Sequence, residues 1–242
     1  MAVLLLAQAF NGVQAGDLQV APVSLEFPVG SQAEGLWLEN TGVAPLHAQL
    51  RVFRWSQVAG EEQLLPTEDL LSSPPIVSIA PGAKQFVRLV RTDGSASARE
   101  LSYRVLVDEL PGPGAKPAQG LRFLLRYSIP VFVLPTGATP RNAATGPTLA
   151  DLDRVSASVE EHSGQTWLTV RNPGRQRLRL RELSLVDPQG RHTELVPGLL
   201  GYVLSGGQMQ WPLKVTGAAV LNGTLKARFN DDQEARKLPM EH

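Results

Sequence analysis

The stretch that decides the fold runs from Leu121 to Val133 and alternates apolar side chains along its length. It reads Leu121-Arg122-Phe123-Leu124-Leu125-Arg126-Tyr127-Ser128-Ile129-Pro130-Val131-Phe132-Val133. Successive side chains of a strand point to opposite faces, so the odd-numbered residues form one continuous apolar row. The stretch is about twice as long as a usual strand. Pro130 has no backbone N–H and favours an edge or a bulge. The stretch therefore predicts a long strand that either crosses a sheet or lies open at its edge for a partner.

Around this stretch, the chain is a series of short alternating segments separated by turn signals. His47 to Trp55, Gln85 to Arg91 and Leu101 to Leu110 alternate like half-buried strands. Ala80-Pro81-Gly82 places Pro and Gly where a tight turn favours them. No long segment has the 3.6-residue period of a helix. The spacing predicts an all-β chain made of immunoglobulin-like sandwiches with about seven strands each.

A break between Pro135 and Pro140 divides the chain into two domains. The 242 residues are enough for two domains of ordinary size, and strand patterns return from Arg154 onward. We therefore predict an N-terminal immunoglobulin-like domain over residues 16–137, which contains the long strand 121–133, and a C-terminal immunoglobulin-like domain over residues 138–242. The linker is short and contains proline, so the domains are expected to hold a fixed angle.

Charge is balanced over the whole chain but uneven along it. Lys and Arg number 23 and Asp and Glu number 23, so charge gives no reason to expect nucleic acid or an anionic membrane as a partner. Arg177, Arg179 and Arg181 alternate with Leu178 and Leu180. This alternation predicts the solvent-facing side of one strand.

The N-terminus has the pattern of a secretory signal. Ala2 to Ala7 form a short apolar core, and Val13-Gln14-Ala15 places small residues where a signal peptidase cuts, although no Lys or Arg precedes the core. A membrane-spanning helix needs about 20 apolar residues, and this run is far shorter. We expect a signal peptide over residues 1–15 and no insertion into the membrane.

The sequence carries no pattern of an enzyme. There are no cysteines, which excludes disulfides, thiolate metal sites and a cysteine nucleophile. The Gly-rich nucleotide motifs, the nucleophile elbow and the zinc-protease motif are also absent. The four histidines are scattered along the chain: His47, His162, His192 and His242. We predict no catalysis, no cofactor and no metal.

Several motifs occur together in the order and spacing of one known family. The most specific string is Pro74-Pro75-Ile76, Ala80-Pro81-Gly82 and Val87-Arg88-Leu89, preceded by Leu38-Glu39-Asn40-Thr41-Gly42 and followed by the long strand. Through these motifs the chain resembles the PapD-like periplasmic chaperones of the chaperone–usher pilus assembly pathway. The segment from Arg126 to Val133 resembles the archaic branch of that family, which is associated with spore-coat-like and biofilm pili.

The resemblance implies a boomerang of two immunoglobulin-like domains that acts in the periplasm without ATP. Such a chaperone binds a pilus subunit whose own sandwich lacks a strand, and it lends its long strand to the subunit. It then delivers the subunit to an outer-membrane usher. The donor residues implied here are the row Leu121, Phe123, Leu125, Tyr127 and Ile129.

The resemblance also implies a cation that holds the terminal carboxylate of the subunit. Well-known members use an Arg in the first strand and a Lys late in the long strand. The matching positions here are Ser24 and Pro130, so neither basic residue is present. Arg88, Arg104 and Arg126 are the candidates to replace them.

A rival interpretation is a secreted structural or carbohydrate-binding sandwich protein. It predicts exposed aromatic side chains clustered on one sheet face. The four tryptophans lie far apart in sequence, in strands where burial in the core is expected: Trp37, Trp55, Trp167 and Trp211.

Overall fold

A computed structural model describes residues 17–112, 123–139 and 152–241 of the chain. The first part contains ten strands: β1 (Leu18–Ala21), β2 (Leu25–Phe27), β3 (Ala33–Asn40), β4 (Leu46–Val58), β5 (Glu61–Pro66), β6 (Leu70–Ser73), β7 (Ile76–Ile79), β8 (Lys84–Arg91), β9 (Leu101–Leu110) and β10 (Arg126–Val133). The second contains seven strands and one short helix: β11 (Ser156–His162), β12 (Gln165–Arg171), β13 (Leu178–Val186), β14 (His192–Val203), β15 (Gln208–Leu213), α1 (Gly217–Leu221), β16 (Thr224–Phe229) and β17 (Arg236–Lys237).

The first ten strands form a sandwich of two sheets. One sheet has the order β1-β3-β8-β6, and the other has the order β2-β10-β9-β4-β5 with β7 paired to β4. The alternation of each strand sends one row inward, as in β3, where Leu36 and Leu38 are fully buried. These side chains meet Val105, Val107 and Val131 from the opposite sheet in a single core.

The remaining strands form a second, smaller sandwich with its own core. A three-stranded sheet, β11-β12-β15, faces a four-stranded sheet, β14-β13-β16-β17. Leu168, Leu180 and Phe229 are fully buried between the two sheets. The two sandwiches and the all-β content agree with the fold class predicted from the strand spacing.

The same buried turn closes one strand in each sandwich. The side-chain amide of Asn40 donates to the carbonyls of Ala44 (2.8 Å) and Ile79 (2.9 Å), and its oxygen accepts from the Gly42 N–H. Asn172 repeats this pattern with the carbonyls of Gln176 and Val203 and the N–H of Gly174. A buried amide with all these bonds made fixes the path of the chain after the strand.

The two sandwiches meet through a small aromatic cluster and buried charges. Trp55 and Phe132 of the first sandwich pack with Tyr202 and Leu204 of the second. The side chain of Arg177 is only 4% exposed and bonds both Glu100, at 2.5 Å, and Glu26. The prediction that Arg177 faces solvent on a strand was wrong, because Arg177 lies just before β13 and its side chain packs against the first sandwich.

Other details of the fold differ from the sequence-based expectations. Strand β10 begins at Arg126 rather than Leu121, and Phe123 to Leu125 are described but lie outside any strand. The expected burial in the core is met by Trp55. Trp167 and Trp211 are only half-buried, and Trp37 is 49% exposed beside Phe86. Leu121, the signal peptide at 1–15 and much of the linker after residue 139 lie outside the described residues.

Candidate functional site

Strand β10 is covered on one side and partly open on the other. It pairs antiparallel with β9 from Arg126, opposite Asp108, to Val133, opposite Leu101. On its other side, β2 pairs with it in parallel, and only over Val131 to Val133. Among the described residues, the edge from Arg126 to Pro130 therefore has no neighbouring strand. The expectation that Pro130 lies at an edge is met, since the proline sits immediately before the covered part.

The apolar row of this strand runs continuously from the core to the surface. Ile129 is 3% exposed and belongs to the first core. Tyr127 packs against that core, and its hydroxyl donates to the Leu18 carbonyl at 2.6 Å. Leu125 is partly buried against the core, whereas Phe123 is 75% exposed. The inner members of the predicted donor row thus already belong to the protein's own core, and Phe123, the outermost member that the structure describes, is exposed.

The first residue of β10, Arg126, forms an ion pair with Asp108 of the neighbouring strand. Asp108 receives hydrogen bonds from Arg126 on one carboxylate oxygen and from Arg51 on the other, at 2.8 Å from Arg51 Nη2. Burial of Asp108 opposes its ionisation, but the bonds from Arg126 and Arg51 outweigh burial and hold the pKa of this carboxyl below its ordinary value. Arg126 is consequently already paired in the free protein.

Arg104 lies directly across the ladder from Pro130. Its guanidinium carbon is 3.7 Å from the centre of the Trp55 ring, and one of its nitrogens lies 3.6 Å from Glu62 Oε1. Its side chain is 15% exposed, and burial lowers the pKa of the guanidinium, with Glu62 acting in the opposite direction. Arg104 is therefore a restrained cation on β9, which β10 separates from the open edge, and its side chain contacts β4 and β5.

The third predicted cation lies elsewhere. Arg88 is exposed on β8, in the sheet opposite the one that contains β10. The three arginines expected as alternatives thus occupy three separate places: Arg88 on the far sheet, Arg126 in an ion pair, and Arg104 on β9, one strand away from the open edge.

A cavity of about 420 Å³ opens where the edge ends, between the two sandwiches. Ser24 and Leu25 line it from the first sandwich, and Arg177 and Arg179 line it from the second. The sequence pattern did not identify these two arginines as part of a site, because alternation within one strand shows which residues face outward but not what covers them.

Within the described ranges no cluster of three acidic or histidine side chains is placed to hold a metal ion. Within those same ranges, no helix has the length and apolarity needed to cross a bilayer.

Residues 17–139 match the family described as the pili and flagellar-assembly chaperones, PapD N-terminal domain. The chain belongs to this family. The match spans the first sandwich, including the half-open strand β10. This pilus-assembly chaperone therefore carries the fold and the family motifs predicted from its sequence, and nothing found supports the rival structural or carbohydrate-binding interpretation.

Solved structures similar to this chaperone cover nearly the whole chain. The chaperone CsuC of Acinetobacter baumannii, in its complex with the tip adhesion subunit CsuE of archaic chaperone–usher Csu pili, has a TM-score of 0.70 and 25% identity, covering 93% of this chain and 99% of that chain. The CupB2 chaperone of Pseudomonas aeruginosa has a TM-score of 0.57 and 15% identity, covering 90% and 97%. The E. coli chaperone DraB has a TM-score of 0.57 and 17% identity, covering 93% and 98%. A search of curated proteins found no match.

Proposed function

We propose that this chaperone captures a pilus subunit in the periplasm by lending it strand β10 and the apolar segment before it. The observation that carries the proposal is the combination of an unpaired edge from Arg126 to Pro130 with the exposed side chain of Phe123. An exposed edge with an apolar row is normally an aggregation hazard. A strand reserved for a partner accounts for both features.

The edge can pair with a guest strand through its backbone. Backbone hydrogen bonds along Arg126 to Pro130 accept many guest sequences, while alternate side chains fill pockets in the guest. The row from Ile129 to Phe123 would extend the chaperone's own core into the open core of the subunit. Leu121 is expected to continue this row in the complex, together with the strand extension predicted from residue 121.

Arg104 is the candidate best placed to hold the terminal carboxylate of the subunit. It lies opposite Pro130, the last unpaired position of the edge, and it faces the second sandwich through Tyr202 at 5.9 Å. A guest strand that fills the edge would end across β10 from Arg104, which lies on the neighbouring strand β9. Arg126 is bound to Asp108, and Arg88 lies on the other sheet, so both are less suitable.

The remaining parts of the proposal rest on the family. The signal peptide at 1–15 would direct export, and the two domains, over 16–137 and 138–242, would present the captured subunit to an outer-membrane usher. CsuC is seen with a tip adhesion subunit, and the SafB chaperone of Salmonella enterica with the SafA pilin. These complexes support a pilus subunit as the partner here.

The test is co-purification of the chaperone with the pilin encoded near its gene. Phe123→Asp introduces a charge into the exposed part of the donor row and should abolish the soluble one-to-one complex. Leu221→Asp is a matched control, because Leu221 is also exposed, at 81%, but lies at the end of helix α1 in the second sandwich. It should leave complex formation unchanged. Equal complex formation by both variants, with both folded, would refute strand donation.

A further inference from the structure

The position at which β10 leaves the sheet is marked by an ion pair between neighbouring strands. Arg126 and Asp108 are direct ladder partners, and their side chains bond each other. One residue further out, the Glu109 N–H donates to the Leu125 carbonyl at 2.9 Å, and the Leu125 N–H bonds the Glu109 side chain at 3.3 Å. Beyond this point Phe123 and Leu124 are exposed and lie outside any strand.

The sequence at this point does not by itself determine which side chains of the outgoing segment form the apolar row. Leu124 lies between Phe123 and Leu125, so both faces of the outgoing segment can present apolar side chains. A shift or bulge of one residue turns every side chain beyond it to the opposite face. The core fixes Ile129 and Val131, which are buried, whereas the described residues Phe123 and Leu124 are exposed and lie outside the core.

We propose that the Asp108–Arg126 pair is a register pin for the donor segment. With the pair in place, Phe123 and Leu125 continue the row of Ile129. With one extra residue bulged between Arg126 and Ile129, Arg126 turns away from Asp108, Leu124 takes the place of Leu125 in the row, and Phe123 leaves the row. The inference rests on the proposed function, because it assigns to Arg126 the positioning of the strand that is lent.

The pin also gives Arg126 a role different from that of a carboxylate anchor. As an anchor, Arg126 must be free to bind the carboxylate of the guest, whereas as a pin it must stay paired with Asp108. The two roles predict opposite effects of Asp108→Asn. Releasing Arg126 strengthens subunit binding if Arg126 is an anchor, and it weakens binding if Arg126 is a pin.

The pin is tested first on the free chaperone by the exchange rate of the Glu109 amide, measured by NMR. Arg126→Gln should speed this exchange about two- to fivefold, in the range expected for a partly exposed ion pair. Arg126→Lys keeps the charge and should restore most of the protection. Arg51→Gln is the matched control, because Arg51 bonds the other oxygen of Asp108 and belongs to β4. It should leave the Glu109 rate within twofold of wild type.

The second readout is the yield of the chaperone–subunit complex with Asp108→Asn. The pin predicts a lower yield than wild type at equal chaperone expression. Unchanged Glu109 exchange in Arg126→Gln, or a higher yield with Asp108→Asn, would overturn the pin. If the proposed function is wrong, the wild-type chaperone forms no complex with the subunit. The Glu109 exchange rate still tests the pin in that case, because it is measured on the free chaperone.

Discussion

The guanidinium carbon of Arg177, in the second sandwich, lies 3.6 Å from the centre of the Phe132 ring on strand β10 of the first. The same side chain bonds Glu100 and Glu26 of the first sandwich. Glu26 lies on β2, the strand that covers the inner end of β10. One side chain from the second sandwich therefore contacts both the donor strand and its neighbour, and the interface between the sandwiches adjoins the proposed subunit site.

Replacing Arg177 by Met should destabilise the chaperone strongly. The substitution keeps an apolar stem over Phe132 but leaves Glu100, whose side chain is fully buried, without this cation. Loss of one partner of a buried ion pair costs about 3–5 kcal/mol. Chemical denaturation measures the loss. Arg171→Met is the control, because Arg171 forms an exposed pair with Glu241, worth about 0–1 kcal/mol. Similar losses in the two variants would contradict the buried role of Arg177.

The buried asparagine turns should each contribute measurably to stability. Asn40→Ala removes the amide that serves the carbonyls of Ala44 and Ile79 and the Gly42 N–H. Leaving buried backbone groups without partners costs about 1–3 kcal/mol. Asn172→Ala should give a loss of the same size in the second sandwich. The free energy of unfolding of each variant checks the expectation, and a loss below the error of the measurement in either one would show that its turn is not required.

The contribution of Asp108 should depend on pH with a definite sign. Its pKa is lowered in the folded protein, so the folded state holds this carboxyl ionised more firmly than the unfolded state does. The stabilisation is present above the ordinary Asp pKa of about 3.9 and is lost as the pH falls through the lower folded value. The stability difference between wild type and Asp108→Asn should therefore be largest near pH 7 and shrink below about pH 4. A difference that stays constant or grows on acidification would be inconsistent with this ion pair.

Arg104 should matter for the guest only when the guest has a free terminal carboxylate. Arg104→Gln is expected to weaken binding of a peptide copied from the last strand of the subunit by about 10- to 100-fold, since hydrogen bonds to charged groups contribute about 1.5–3 kcal/mol. The same peptide with an amidated end should bind wild type and variant equally. Isothermal titration with both peptides measures this, with Arg88→Gln as the control. An equal effect on the free and amidated peptides would remove Arg104 from the role of anchor.

Much of the fold could be predicted because alternation and turn residues are local signals. The apolar row that includes Ile129 and Val131 predicted a strand with one buried face, and the segment Asn40-Thr41-Gly42 predicted a turn. What the sequence could not show was the partner of each outward face. Arg177 looks like a solvated arginine beside Leu178, yet it is buried, because the first sandwich covers the residue that precedes β13.

For the site as well, local sequence signals predicted the strand but not its contacts with residues distant in the chain. The long stretch from Leu121 to Val133 identified the strand, but not the point at which its ladder begins. That point depends on the residues of β9 that face it, namely Asp108 and Glu109, which lie far away in sequence. The proposed choice of Arg104 likewise depends on the sheet in which Arg88 lies and on the ion pair of Arg126 with Asp108, neither of which spacing along the chain reveals.

The three-residue strand β2 ends the open edge of β10, because it pairs with Val131 to Val133. From Val131 onward the place beside β10 is already occupied, so a guest strand can slide toward the second sandwich only as far as Pro130. A guest chain that stops there fits, whereas one that continues must turn away at Leu25. The short strand would therefore limit where a client's chain can end, and the chaperone would select clients by the position of their last residue as well as by their apolar pattern.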